Sequence, residues 1–123
     1  RSIRRESDVP ISIDTRNSRV AKAAVEAGAD IVNDVSGGTH DPEMLSVVSS
    51  LAVPMIMMHM RVNPQTMQTM TNYSEEEGGV VVSVANELKN RSQAAEEAGI
   101  PRWMQIVDAV SVLDYACLSC TLP

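Results

Sequence analysis

Residues 27–38 read Ala27-Gly28-Ala29-Asp30-Ile31-Val32-Asn33-Asp34-Val35-Ser36-Gly37-Gly38. Gly28 can close a helix, because glycine enters the left-handed region without a Cβ clash. Residues 29–35 are short, apolar and β-branched and run into polar side chains, which is the pattern of a buried strand. Ser36-Gly37-Gly38-Thr39 reads as a loop. Asp41-Pro42 then opens a helix, with Asp as cap and Pro at the first helical position. Helix stop, strand, loop and helix start follow in direct succession, which is the joint of a βαβ unit.

The same unit recurs on both sides. Upstream, Val9-Pro10-Ile11-Ser12-Ile13-Asp14 reads as a strand, and Asn17 or Ser18 caps a helix whose apolar positions are Val20, Ala21, Ala24 and Val25. Downstream, Met44, Leu45, Val47, Val48 and Leu51 form the apolar face of the helix after Pro42. Val53-Pro54-Met55-Ile56-Met57-Met58-His59-Met60 gives a third strand, followed by a long loop over 61–72. Ser74 with Glu77 makes a capping box for a helix over about 74–98, which Gly99 ends. Trp103-Met104-Gln105-Ile106-Val107-Asp108 is the fourth strand.

Four strands alternating with helices predict right-handed crossovers and a parallel α/β sheet. The strands are nearly all apolar, as strands covered on both faces are. A (β/α)8 barrel and an open doubly wound sheet both satisfy this pattern. A full barrel takes about 250 residues, so a chain of 123 residues with four strands would be a partial TIM barrel.

Composition narrows the function. There are 10 Lys and Arg against 16 Asp and Glu, a net charge of −6. That balance argues against a nucleic-acid partner, since phosphate backbones need a basic surface. One Trp, two Tyr and no Phe leave few rings for stacking on bases. No apolar run approaches the roughly 20 residues of a membrane span. Arg1, Arg4 and Arg5 come early, but no apolar segment of a signal peptide follows them. Cys117 and Cys120 lie too close together for a secreted disulfide framework, which points to a reducing compartment.

The strands finish on Asp14, Asn33, Met58 with His59, and Asp108. In a parallel sheet the carboxyl ends share one edge, where ligands bind in barrels and in open sheets. Two carboxylates and a carboxamide are acceptors. They suit a neutral heterocycle rich in N–H donors, or a developing cation, better than a bare phosphate. Simpler roles compete: an Asp at a strand end can cap a helix, and Asn33-Asp34 can be turn chemistry. Met55, Met57, Met58 and Met60 read mainly as core, with one or two lining a pocket. His59 reads as a satisfied core histidine and His40 as a solvated one. Cys117 and Cys120 have metal or redox spacing but no second pair.

Taken in order, Ile11-Ser12-Ile13-Asp14-Thr15, residues 27–38, Pro54-Met55-Ile56-Met57-Met58-His59-Met60-Arg61 and Pro64-Gln65-Thr66-Met67-Gln68 resemble the dihydropteroate synthase family. The resemblance covers about residues 9–108. It implies a (β/α)8 barrel and a transferase of folate biosynthesis. That enzyme condenses 6-hydroxymethyl-7,8-dihydropterin pyrophosphate with p-aminobenzoate, giving 7,8-dihydropteroate and pyrophosphate, with Mg2+ assisting. The resemblance implies that Asp14 is catalytic: it accepts from a pterin ring N–H and balances charge as pyrophosphate leaves. It implies that Asn33 reads the pterin edge, that Val35 is an apolar wall, that Met58 packs on the ring, and that Asp108 takes the 2-amino and N3 hydrogens. Barrel modules that bind methyltetrahydrofolate share the Asp and Asn strand ends. The stretches at 58–61 and 64–68 favour the synthase.

The chain also departs from the family. Asp108 is followed by Ala109-Val110-Ser111 where the family has Pro-Gly, and residues 109–123 carry no resemblance. The expected division is a partial pterin-binding barrel over 1–108 and a divergent tail over 109–123. Val62 stands where Gly is frequent in the family. The family's magnesium ligand, and its Lys, Arg and His for pyrophosphate and p-aminobenzoate, have no counterpart here, so no metal ligand is expected in this chain. The expectation is a truncated and inactive form, or a remnant that associates through open sheet edges. The resemblance implies a homodimer for the full-length protein. A cytoplasmic or mitochondrial-matrix location fits, with no targeting segment in this chain.

Overall fold

The computed structural model describes residues 2–59 and 79–109. In chain order these form α1 (Ser2–Glu6), β1 (Ser12–Asp14), α2 (Ser18–Glu26), β2 (Ile31–Asp34), α3 (Met44–Leu51), β3 (Met55–Met58), α4 (Gly79–Glu97), a 3-10 turn (Arg102–Met104) and β4 (Gln105–Asp108). Outside the described residues lie Met60, the stretch at 61–72, the Ser74–Glu77 capping box, both cysteines and the tail from 110.

All four strands are parallel and lie in one sheet in the order β1-β2-β3-β4. Each crossover moves to the next position in the same direction. A doubly wound sheet reverses direction at its switch point; this one does not, and the order is that of a barrel sector.

Strand alternation sorts the side chains onto two faces. Val32, Met55 and Met57 are fully buried with Ala21, Met44, Val48, Ala95 and Ile100, and they make the core between the sheet and its helices. Ile13, Val25, Leu45, Val53 and Met104 pack at its margin. The opposite face carries Ser12, Asp14, Ile31, Asn33, Ile56, Met58, Ile106 and Asp108, as the register places them. Ile106 is 47% exposed there, and Val107 at the β4 edge is 52% exposed. Apolar side chains at the sheet's edge are thus open, as expected of a barrel sector.

Local chemistry explains the element ends. Asn17 caps α2, its side chain accepting from the backbone N–H of Arg19 and Val20 at 3.0 and 3.3 Å. Gly28 and Gly99, at φ +110° and +98°, take the left-handed turns that stop α2 and α4. All four strands are shorter than the apolar runs that announce them, and for β1 and β4 the cause is visible. Pro10 has no N–H to give and Asp30 takes the N–H of Ile11 at 2.7 Å, so β1 begins only at Ser12. The N–H of Met104 donates to the Pro101 carbonyl at 2.9 Å. That bond curls 102–104 into a 3-10 turn, leaves Trp103 79% exposed and delays β4 to Gln105. Asp41 accepts from the Glu43 N–H at 3.0 Å as expected of a cap, but the helix proper starts at Met44.

Helix α1 has no counterpart in the sequence pattern. Arg4 holds it: Nε and Nη2 donate to the Gly28 carbonyl at 3.1 and 2.8 Å, Nη1 donates to the Val9 carbonyl at 2.9 Å, and the guanidinium pairs with Asp30. The backbone N–H of Ile11, with Arg4 beside it, keeps the Asp30 carboxyl below its usual range.

Candidate functional site

The ladder continues past the strand ends, and the Met58–Asp108 pair stands two residues beyond the row of Asp14, Asn33 and Ile56. The N–H of Thr15 donates to the Asn33 carbonyl at 3.0 Å, and the N–H of His59 to the Asp108 carbonyl at 2.9 Å. In register, Asp14 stands beside Asn33, Asn33 beside Ile56, and Met58 beside Asp108. Partners in a parallel ladder share a face. Asp14, Asn33, Met58 and Asp108 therefore lie together on the face away from the helices, at the carboxyl edge. Asp14 is exposed; Asn33, Met58 and Asp108 are half-buried. Val35, also half-buried, follows one residue after the end of β2.

This arrangement separates residues adjacent in sequence. Asn33 belongs to the acceptor face. Asp34 is fully buried on the helix side and performs the turn chemistry. Its Oδ1 accepts from the N–H and hydroxyl of Ser36 at 2.8 and 2.7 Å, and its Oδ2 from the N–H of Gly38 at 2.8 Å. Arg91 on α4 reaches the Ser36 carbonyl at 2.6 Å. His59 is buried, 2% exposed, with Nε2 3.0 Å from Glu87 Oε2 on α4. It is the core histidine that its surroundings in the sequence suggest, while His40 is exposed in the loop. Sequence reasoning missed Asp34, Glu87 and Arg91 as one polar layer behind the sheet. The available signal was Asp34 two residues before Ser36 and four before Gly38, which is Asx-turn spacing.

A cavity of about 320 Å³ lies between the loop after β2 and α4, lined by Gly37, Gly38, Leu45, Glu87, Asn90 and Arg91 among others. It opens on the helix side. Asp14, Asn33, Met58 and Asp108 do not line it, so this cavity and the acceptor face are separate features.

The acceptor face is two carboxylates and a carboxamide beside a thioether. It can order a flat heterocycle through its N–H edge and pack one of its surfaces on Met58. A wrong edge would leave buried polar groups unpaired, at about 1–3 kcal/mol each. Among the described residues no three His, Cys, Asp or Glu side chains gather to hold a metal ion. No described helix is long and apolar enough to cross a membrane.

The family described as pterin binding enzyme matches residues 1–113. The folic acid synthesis protein of Schizosaccharomyces pombe is 49% identical over 100 residues, 81% of this chain and 13% of that protein. The dihydropteroate synthase of a Synechocystis species is 53% identical over 74 residues, 60% of this chain and 26% of its own. Among solved structures, dihydropteroate synthase from Xanthomonas albilineans in complex with 7,8-dihydropteroate superposes with a TM-score of 0.71 at 32% identity, covering 86% of this chain and 36% of that one. The chain thus spans between 13% and 36% of these three relatives.

Proposed function

This chain belongs to the pterin-binding enzyme family, and from that premise we propose that it is the pterin-holding part of a dihydropteroate synthase. The parent reaction joins the amine of p-aminobenzoate to the methylene carbon of 6-hydroxymethyl-7,8-dihydropterin pyrophosphate. A C–N bond forms, the C–O bond to pyrophosphate breaks, and the amine gives up a proton. The observation that carries the reading is the placement of Asp14, Asn33, Met58 and Asp108 on one face at one edge of a parallel sheet.

On this reading Asp108 accepts from the 2-amino and N3 hydrogens, and Asn33 meets the ring edge through its carboxamide. Met58 packs on the ring and Val35 forms a wall. Asp14 accepts from a ring N–H, and its negative charge stabilises the methylene carbon as it becomes electron-poor. Charge stabilisation of this kind, by groups already in place, is commonly the largest part of catalysis. Binding of pyrophosphate and p-aminobenzoate, magnesium and dimerisation belong to the parent protein in this proposal.

The test is calorimetric titration of the 123-residue chain with 6-hydroxymethyl-7,8-dihydropterin. Saturable binding is expected, with affinity falling about tenfold or more in Asp14→Ala and in Asp108→Ala. A folded, soluble chain that binds no pterin would overturn the proposal.

One observation favours a second reading. Ile106 and Val107 are half exposed on the β4 edge, and unpaired apolar edges invite association. A remnant that self-associates without pterin affinity would show a concentration-dependent mass in sedimentation and no heat on titration.

A further inference from the structure

Asp34 is 0% exposed, and both of its carboxylate oxygens are committed to the turn that follows it. Oδ1 takes the Ser36 N–H and hydroxyl, Oδ2 takes the Gly38 N–H, and the Gly37 N–H returns to the Asp34 carbonyl at 2.9 Å. These bonds clamp the backbone on the far side of Val35. The strand ladder clamps the near side, through Thr15 N–H on the Asn33 carbonyl at 3.0 Å. Asn33 and Val35 thus sit on a backbone held from both ends, with Arg91 fixing the Ser36 carbonyl from α4 at 2.6 Å. We infer that Asp34 is a positioning residue: acting from the back of the sheet, it sets the placement of Asn33 and Val35 on the ligand face.

The inference rests on the pterin reading above. The chemistry singles out a carboxylate. All three partners of Asp34 are donors, so it must be an acceptor on both oxygens. An Asn at 34 keeps one acceptor and turns an NH2 group against the N–H of Gly38 or Ser36. Space around the turn is also tight. A Cβ at Gly37 would stand 2.8 Å from Arg91 Cδ, and one at Gly38 2.6 Å from Leu45 Cδ2. Those contacts fall on side-chain ends; the backbone of the turn is held instead by its bonds to Asp34 and Arg91. Loss of the acceptor should therefore travel to Asn33 and not dissipate locally.

The experiment is a double-mutant cycle on the 123-residue chain with 6-hydroxymethyl-7,8-dihydropterin as the probe, read by calorimetry and by the Asn33 side-chain amide resonances. Asp34→Asn should weaken binding about tenfold and shift the Asn33 amide signals. In an Asn33→Ala background the same substitution should cost much less, since its route is gone. A purely structural role predicts an equal loss in both backgrounds, and that result, or wild-type affinity in Asp34→Asn, would overturn the inference. Should Asp34→Asn not fold, Ser36→Ala replaces it. That change removes one donor and keeps the carboxylate, and a smaller loss with the same background dependence is expected. If the unaltered chain binds no pterin, the functional reading falls. The Asn33 resonances then still decide positioning: moved by Asp34→Asn they support it, unmoved they refute it.

Discussion

Asp41 accepts the backbone N–H of Ser18 at 2.8 Å, so the loop after β2 supplies a second cap to the helix after β1. The same carboxylate takes the Glu43 N–H at 3.0 Å. These bonds, Ser18 first, hold its carboxyl below the ordinary value of 3.8. Between the folded and unfolded values the unfolded chain binds more protons, so stability rises with pH in that window. The contribution is complete above about pH 5 and is lost as pH falls through the lowered value. Asp41→Ala should therefore unfold at lower urea than the natural chain near neutral pH. The gap should hold from about pH 8 to about pH 5 and narrow below the ordinary value of 3.8. A gap that stayed constant into strong acid would show that the bond carries no charge dependence.

Ala52 ends α3 with φ +52°, the one non-glycine residue at positive φ among those described. A side chain in that region costs about 1–2 kcal/mol, and glycine gives back part of the gain through unfolded-state entropy. Ala52→Gly should raise stability by about 0.5–1 kcal/mol. Gly38→Ala is the mirror experiment: φ is +83° and the new Cβ would stand 2.6 Å from Leu45 Cδ2. It should destabilise by at least the same amount. Urea midpoints of the two variants should lie on opposite sides of the natural chain; a shared direction would remove the argument from backbone strain.

Met57 is fully buried in the core cluster and lies on the helix side of β3. Met58, the next residue, is half-buried on the ligand face. Met57→Ala should cost about 2–5 kcal/mol in unfolding free energy. Met58→Ala should cost less in stability and more in pterin affinity. Equal stability losses would mean that the two faces are not distinct.

Much of this was legible because it is local. Asn17 as cap, Gly28 and Gly99 as stops, and four short apolar strands all follow from neighbours in sequence. The convergence of Asp14, Asn33, Met58 and Asp108 was legible too, since parallel strands bring their carboxyl ends to one edge. What escaped depends on distant contacts. Helix α1 is held by Arg4 on Gly28, 24 residues away, and no periodic pattern announces it. The split between Asn33 and Asp34 needs the knowledge of which face the helices cover. The choice between barrel and doubly wound sheet has no local signal; the family resemblance implied the barrel, and the strand order agrees with it.

Register also orders the energetics of binding. Asp14 and Asn33 are direct neighbours across β1 and β2, whereas Asp14 and Asp108 are separated by three strand spacings. At about 4.8 Å per spacing, neighbours couple and the outer pair lies about 14 Å apart along the sheet. Residues in contact fail to add, whereas sites more than roughly 7–10 Å apart that share no protein partner add within a few tenths of a kcal/mol, so the shared ligand is the one remaining route of coupling between Asp14 and Asp108. The losses in dihydropterin affinity from Asp14→Ala and Asn33→Ala should therefore combine to less than their sum. Those from Asp14→Ala and Asp108→Ala should add. Calorimetry on the single and double variants measures both couplings directly. Strong coupling between Asp14 and Asp108, with none between Asp14 and Asn33, would mean that the ligand does not lie across the four strand ends in the order the sheet sets.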